Sequence, residues 1–346
     1  MTPILSARRP RAGLPFALAA LALLAACADP AGTPPAPPGI DATAPPEKPD
    51  LPRVDQAALR RDRAEDARAA NARASAAAAS PASTNMRQYL AGIEETLIAR
   101  GRLRTDPGTE IALTPERLTE DFIQIALHDE YVRQGDALVS RGVPAPLRRW
   151  QQPVQVRLYF GDSVAPAERS RDRAEVAGFA ARLQKVSGHP VGLSGAGGNF
   201  TVLIVNEDER HAIGPRLTSL VPGIPRSDVA ALSDLSPQNY CTVFAYSQGD
   251  SPIYAQAVAL IRAELPPRLR RSCVHEELTQ GMGLANDSPR ARPSIFNDDE
   301  EFAYLTRHDE LLLKILYDPR LRPGMTEAEA RPVVMQIATE LLGTEV

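Results

Sequence analysis

The folded domain of this chain of 346 residues must lie after residue 84, because the first 84 residues have almost no apolar side chains at the spacing of a helix or strand. Residues 27–52 are rich in proline and alanine, a composition that favours extended polyproline II and packs no core. Residues 53–84 favour a helix, but Val54 and Leu59 are their only large apolar side chains, too few to form a docking stripe. The sequence therefore predicts a tether, then a solvated helical spacer, then one folded domain over residues 85–346.

Residues 1–26 have the pattern of a bacterial secretion signal that ends at a lipidated cysteine. Three arginines precede a short apolar run, Leu14–Ala26, which closes with Leu-Ala-Ala immediately before Cys27. A basic segment, an apolar core and small residues at the cleavage site define a secretory signal, and the run is too short for a comfortable membrane span. We expect the mature chain to begin at lipidated Cys27 and its domain to face the periplasm, with the leaflet left open. An ordinary cleaved signal is the alternative.

Charge and cysteine content limit the classes of partner and indicate the redox state of the cysteines. The net charge of −4 gives no basic excess of the kind that nucleic-acid partners require. Once Cys27 is lipidated, Cys241 and Cys273 are the remaining cysteines. An even pair in an exported protein predicts a disulfide; two buried free thiols are the alternative.

Apolar periodicity predicts the order of elements in the folded domain. Helices are predicted over residues 86–97, 115–126, 176–186, 305–317 and 326–342. Strands are predicted over residues 154–160, 200–205, 241–246 and 253–261, the last two forming a hairpin. The glycine-rich loop Ser194–Asn199 leads into a strand and not into a helix N-terminus, so we interpret it as a hairpin turn and not as a phosphate-binding loop.

The stretch Cys273–Ser288, CVHEELTQGMGLANDS, has the spacing of a metal-binding helix without its usual ligands. It fits HExxHxxGxx(H/D), with Glu276, Gln280 and Asn286 at the His positions and Glu277 at the general-base position. A register one residue earlier reads His-Glu-x-x-Thr and lacks the second His. Residues four apart share one helix face, and a glycine after the helix turns the chain back towards it. The spacing therefore predicts side chains that meet around one point.

The chemistry of these side chains argues against zinc, which prefers imidazole and thiolate. Carboxylate and amide oxygens suit a harder cation or no metal. Asp287 and the downstream His308 complete the candidate ligand set, and the acidic run 297–301 is either a solvated face or an oxygen-rich cation site. The cofactor is left unknown: the choice between zinc, another divalent cation and no metal stays open, and none is favoured.

Three segments resemble a family of uncharacterised lipoproteins and secreted proteins of alphaproteobacteria. They read EELTQGMGLAND, PSIFNDD, and His308-Asp309 leading into ILYDPRLRPGM, and the resemblance extends upstream to about Leu113. That family of unknown function is similar to zincin-type metallopeptidases. The resemblance implies an α+β, zincin-like domain with a small mixed sheet packed on the motif helix and a helical C-terminal half.

These features leave three functional hypotheses. The first is a metallopeptidase-like hydrolase with Glu277 as general base and a metal that polarises water. The second is a degenerate zincin-like domain that acts as a binding or scaffolding module, anchored to the membrane by lipid, with a protein or peptide partner in the envelope. The third is a lipoprotein that binds a small molecule or cation. The missing His ligands favour the non-zinc module.

Overall fold

The computed structural model describes residues 56–134, 137–195, 197–297 and 299–343. The predicted signal peptide, Cys27 and the tether lie outside these ranges. Within the described residues, no helix combines the length and the apolar character needed to cross a membrane.

A mixed six-stranded sheet forms the centre of the described domain. Its strands are β3 (Arg149–Trp150), β4 (Val154–Phe160), β5 (Val191–Leu193), β6 (Phe200–Val205), β7 (Cys241–Ser247) and β8 (Ile253–Arg262). The order β3-β8-β6-β4-β5 is parallel throughout, and β7 pairs with β8 antiparallel. A separate hairpin precedes the sheet and joins β1 (His128–Gln134) to β2 (Ala137–Pro144).

Ten helices are present among the described residues, and they cover both faces of the sheet. The helices are α1 (Gln56–Ala78), α2 (Pro81–Ala99), α3 (Pro115–Ala126), α4 (Pro166–Ser187), α5 (Glu207–His211), α6 (Gly214–Leu220), α7 (Arg226–Ser233), α8 (Pro267–Gln280), α9 (Arg307–Leu316) and α10 (Glu327–Gly343). Strand β6, FTVLIV, is buried at every position, as expected of a parallel strand with helices on both sides. Val202 and Ile204 of β6 join the core with α3, α4, α8 and α9, whereas Leu203 and Val205 join a second core with α6 and α7.

The predicted helices and strands are present, but one predicted connection is wrong. The loop Ser194–Asn199 is not a hairpin turn, because β5 and β6 do not pair with each other. Both pair parallel with β4, on its opposite sides. The loop therefore carries the chain across the start of β4, where Asn199 accepts from Gln155 N and donates to the carbonyl of Pro153.

The N-terminal helices meet the domain at the carboxyl edge of the parallel strands. Most side chains of α1 are exposed, but Ala74 is buried and the carbonyl of Ala77 accepts a hydrogen bond from Asn206 Nδ2 at 3.2 Å. Ser80 caps α2 by accepting from the backbone N–H of Ser83. The end of the predicted spacer thus contacts the folded part.

Candidate functional site

The motif helix α8 follows directly from β8 and packs on β7 and β8. The two glycines after it are required by close packing. A Cβ on Gly281 would lie 2.4 Å from the Phe200 ring, and one on Gly283 would lie 2.5 Å from the carbonyl oxygen of Arg148. Gly283 also has φ of +123°, which a larger residue adopts only under strain. The glycine rhythm of the motif is therefore explained by how α8 and its loop fit against the sheet.

The amide side chains at two candidate ligand positions are engaged inside the fold. Gln280 Nε2 donates to Asp287 Oδ1 at 3.1 Å. Asn286 Nδ2 donates to the carbonyl of Gln124 at 2.8 Å, and its backbone N–H donates to the carbonyl of Ile125 at 3.1 Å. The structure thus brings Gln280 and Asp287 together and directs Asn286 to the end of α3. These contacts tie the loop after α8 to two helices.

The carboxylates of Glu276 and Glu277 lie beside the disulfide. Glu277 is buried, with 2% exposure, and Glu276 is half-buried. One oxygen of each, together with Cys241 Sγ, lies within 4.8 Å of the other two ligand atoms. That sulfur is bonded to Cys273, so the predicted disulfide is confirmed. Zinc binds thiolate sulfur, and a disulfide sulfur is not a thiolate.

His308 lies in a different group of side chains. It is fully buried, with Nε2 3.0 Å from Asp121 Oδ2 and Nδ1 3.5 Å from Asp309 Oδ1. Burial alone would lower the pKa of His308, but the hydrogen bond to Asp121 and the charge of Asp309 outweigh it and raise the pKa above its usual value. Within the described ranges, no cluster of three candidate metal-binding atoms includes His308. Its contacts join α9 to α3.

Asp309 is the most heavily hydrogen-bonded member of that group. Its carboxylate accepts from Ser294 Oγ at 2.6 Å, from Ile295 N at 3.1 Å, and from both the N–H and the hydroxyl of Thr306 at 2.9 and 2.8 Å. Thr306 and Asp309 form a reciprocal capping box at the start of α9. The predicted PSIFNDD segment is held to α9 through this carboxylate.

The histidine of the earlier motif register faces away from this group. His275 Nδ1 accepts from the N–H of Leu305 at 3.0 Å, and its ring stacks on Phe179 with centroids 4.0 Å apart. Its Nε2 lies 3.6 Å from Glu175 Oε1 on α4. Burial lowers the pKa of His275. This histidine packs as a neutral core residue between α8 and α4.

Two of the three described acids in the acidic run are paired with arginines. Asp299 pairs with Arg102 at 2.5 Å, and Glu301 accepts from Arg292 at 2.5 and 2.7 Å and from Arg104 at 3.2 Å. Burial raises the pKa of Glu300 to about 7. These ion pairs give Asp299 and Glu301 partners within the chain.

Sequence reasoning missed the carboxyl edge of the parallel strands. The connection after β4 leads to α4 on one face, and that after β6 leads to α5–α7 on the other; ligands bind at such a switch point in open α/β sheets. Here Glu209 occupies it, accepting from Ser163 N and Oγ at 2.7 Å each and from Asn206 N at 2.9 Å. Gly161 provides the space for this carboxylate, because a Cβ at that position would lie 1.9 Å from Glu209 Oε2. The chain fills this position with its own carboxylate.

Beside the switch point lies an opening with a volume of about 1020 Å³, which we call the edge groove. It is lined by parts of α1 and α2, the first half of α4, the 263–267 segment, the start of α8 and Tyr304. Burial raises the pKa of two carboxyl groups in its lining, Asp172 and Glu264. The one sequence signal for this site is an acidic residue, Glu264, two positions after the last residue of a buried strand.

Comparisons with known proteins place the chain in a family. A family model described as a protein of unknown function, DUF2927, matches residues 115–336. No curated protein and no solved structure matches the chain. The matched range includes the sheet, the motif helix α8 and helix α9, with its cluster around His308. On that match, which spans more than half of the sequence, the chain belongs to the DUF2927 family.

Proposed function

We propose that this chain is a lipid-anchored binding or scaffolding module of the bacterial cell envelope, in which the motif helix has a structural role and no catalytic one. The observation that carries the proposal is the use of the motif's polar side chains inside the fold. Gln280 binds Asp287, and Asn286 binds the carbonyl of Gln124. These hydrogen bonds use the amide nitrogens, so they fix the orientation of both amide groups and tie the side chains to the fold.

The donor set also supports a non-zinc role. A catalytic zinc site needs three protein ligands that converge and leave one position for water. The sulfur near Glu276 and Glu277 is held in a disulfide. The buried imidazole of His308 contacts Asp121 on a different helix. The first group therefore offers zinc no thiolate, and His308 offers a nitrogen that belongs to no cluster of three candidate ligand atoms among the described residues.

We further propose that the fold is a degenerate zincin. Its support is the order of elements: a strand-rich half closes with the antiparallel pair β7 and β8, and α8 follows directly. That order is the one required of a zincin N-terminal half, and α8 carries the zincin-like spacing from Glu276 to Asn286. The three helices α8 to α10 make up the C-terminal part of the described chain.

The membrane anchor rests on the sequence pattern at Cys27. Replacing Cys27 with Ser should release the protein from the membrane fraction or stall its processing, since lipid attachment requires the thiol. Fractionation of cells expressing each form, with the mass of the mature N-terminus, measures this. A Cys27→Ser protein that stays membrane-bound and is cleaved at the same position would remove the anchor from the proposal.

A hydrolase is the second candidate, and one observation favours it. Glu277 is a buried carboxylate on the motif helix, the kind of environment in which general bases are found. The test incubates the full chain with added zinc and a fluorescently labelled unfolded protein, beside Glu277→Gln. We expect no zinc-dependent cleavage by either form. Cleavage that needs zinc and disappears in Glu277→Gln would make the chain an enzyme.

A further inference from the structure

The two glutamates of the motif helix meet the disulfide. Glu276 and Glu277 follow Cys273 by three and four positions on α8, so the three side chains share one face of the helix. Cys241 begins β7, the strand against which α8 packs. One carboxylate oxygen of each glutamate and Cys241 Sγ lie within 4.8 Å of one another. The motif helix therefore does bring candidate ligands to one point, and that point is a pair of bonded sulfurs.

This group of side chains has nearly the dimensions of a zinc site. Zinc–sulfur bonds of about 2.3 Å and zinc–oxygen bonds of about 2.1 Å place tetrahedral ligands roughly 3.5 Å apart. From a spacing of 4.8 Å or less, movements of about 1 Å bring the three atoms to one ion. In the oxidised chain the sulfur is no thiolate, and two carboxylates are too few for calcium, which takes about six to eight oxygens. The redox state of the sulfurs decides whether this group can bind a metal.

Reduction of the disulfide would complete a set of four ligands. The Cα atoms of Cys241 and Cys273 are 5.9 Å apart, so both sulfurs stay within reach of one ion after their bond opens. Two thiolates and two carboxylates give the four ligands that zinc takes in its closed, structural sites. A full set leaves no position for a water molecule. Such a site agrees with a motif helix that has no catalytic role.

Burial and charge favour a cation at this point once the sulfurs are reduced. Glu277 and Cys273 are buried, with 2% and 1% exposure. Two carboxylates held this close repel each other, and two thiolates would add negative charge in a place with little water to solvate it. A divalent cation offsets that charge. Because Cys241 and Glu276 are half-buried, the group lies near the surface, where a reductant and an ion can reach it.

We propose that reduction of this disulfide creates a zinc site whose ligands are two thiolates and two carboxylates, from Cys241, Cys273, Glu276 and Glu277. The reductant is a dithiol: it gives up two electrons and two protons, becomes a disulfide itself and leaves two thiols on the protein. Zinc then displaces the two thiol protons to solvent and binds the thiolates. The site belongs to the reduced chain alone, and it goes beyond the proposed function.

The test compares the metal content of the full chain before and after reduction. The oxidised chain, and chain reduced with a phosphine that is then removed without air, are dialysed against zinc and afterwards against buffer. We expect one zinc ion per reduced chain and well below one per oxidised chain by mass spectrometry. Cobalt in place of zinc should give the sulfur-to-cobalt absorption of bound thiolates, which carboxylates alone do not produce.

Variants test each type of ligand. Replacing Cys241 and Cys273 together with serine should abolish zinc binding, although Cys27 is still present. Glu276→Gln should weaken zinc binding to the reduced chain by about tenfold or more, at least the cost of losing a group that only supports a ligand. Glu310→Gln is the matched control. Glu310 is also half-buried, and it accepts from Arg182 Nε at 2.8 Å, so its variant should bind zinc as the parent does.

Melting temperatures guard against loss of folding. The four ligands converge only in the folded chain, so zinc should raise the melting temperature of the reduced parent and leave the oxidised parent and the serine variant unchanged. Absence of zinc from the reduced parent, or equal affinity in the serine variant or in Glu276→Gln, overturns the zinc site. None of these results touches the proposed function. Zinc-dependent cleavage by the oxidised chain, lost in Glu277→Gln, would overturn that function instead.

Discussion

The end of the motif helix and the edge groove use similar polar side chains in opposite ways. After α8, Gln280 and Asn286 are hydrogen-bonded to groups of the same chain. In the edge groove, Glu264 and Arg270 each keep a buried polar atom that the described chain does not satisfy. Satisfied polar groups hold a fold together, whereas a buried polar atom without a partner is accounted for by strain, an ordered water or an ion. The difference is that the polar groups after α8 hold their loop in place, whereas the packing at the carboxyl edge of the sheet leaves two polar atoms buried and unsatisfied.

The largest effect on stability should come from replacing Asp309. This substitution tests whether the polar side chains around the motif helix serve to stabilise the fold. Asp309→Ala removes the acceptor of four hydrogen bonds and the charge beside His308. We expect the free energy of unfolding to fall by about 3–5 kcal/mol, the cost of breaking a buried charged network. Urea denaturation measures it.

Asp299→Ala is the control for that change, because Asp299 pairs with Arg102 where both side chains are more than a third exposed. It should cost less than about 1 kcal/mol, as surface pairs do. If the two substitutions cost the same, the cluster around Asp309 is not the structural centre described above.

The disulfide should give the next largest effect. It joins Cys241 of β7 to Cys273 of α8 across 32 residues, a loop for which chain entropy gives about 3–4 kcal/mol of stabilisation. Replacing both cysteines with alanine should lower the free energy of unfolding by that amount. A reductant should destabilise the parent equally and leave the double variant unchanged. Free alkylation of both thiols in native exported protein would contradict the pairing.

A pH titration should show a smaller effect that separates the two buried histidines. The raised pKa of His308 means that its stabilisation is complete below the unfolded value near 6.5 and is lost as pH rises through the folded pKa. The lowered pKa of His275 has the opposite sign: stability rises with pH up to about 6.5 and is lost below it.

His308→Gln should therefore flatten the fall in stability above pH 6.5, by up to about 1.4 kcal/mol for each unit by which its pKa is raised. His275→Gln should flatten only the rise below that pH. Unfolding free energies measured from pH 5 to 8 distinguish the two. Identical pH profiles for the two variants would contradict the environments assigned to these histidines.

Local signals in the sequence predicted the longer helices and strands, but not the hairpin β1–β2, the short strands β3 and β5 or the helices α5–α7. The alternation in β4 and the apolar run of β6 identify strands, and Thr114 before Pro115 marks the start of α3. Parallel pairing was missed at Ser194–Asn199, although the helix between β4 and β5 was itself predicted. Parallel neighbouring strands need a crossover connection, usually a helix. The predicted helix was therefore itself a signal for parallel pairing.

The candidate site was harder to predict because its contacts are distant in sequence. Asp121 and His308 are 187 positions apart, and Ser83 and Glu264 are 181 positions apart. The dense leucines around His308 predict a buried helix, but nothing in the local pattern identifies its carboxylate partner, Asp121 on α3. Spacing within α8 identified the residues of the motif, but only tertiary contacts reveal what those residues bind.

The smallest effect on stability is expected from replacing Glu277. Glu277→Gln should change the free energy of unfolding by less than about 1 kcal/mol, since the two side chains have nearly the same volume. A large loss of stability would show that this carboxylate is part of the structural network after all.

The most direct measurement is the zinc content of the purified chain after dialysis against micromolar zinc and then buffer, by mass spectrometry. We expect well below one zinc ion per chain, and the same value for Glu276→Ala, because zinc prefers nitrogen and thiolate ligands and the sulfur beside Glu276 is held in a disulfide. One tightly held zinc ion per chain, lost in Glu276→Ala, would contradict it and return the function to the motif helix.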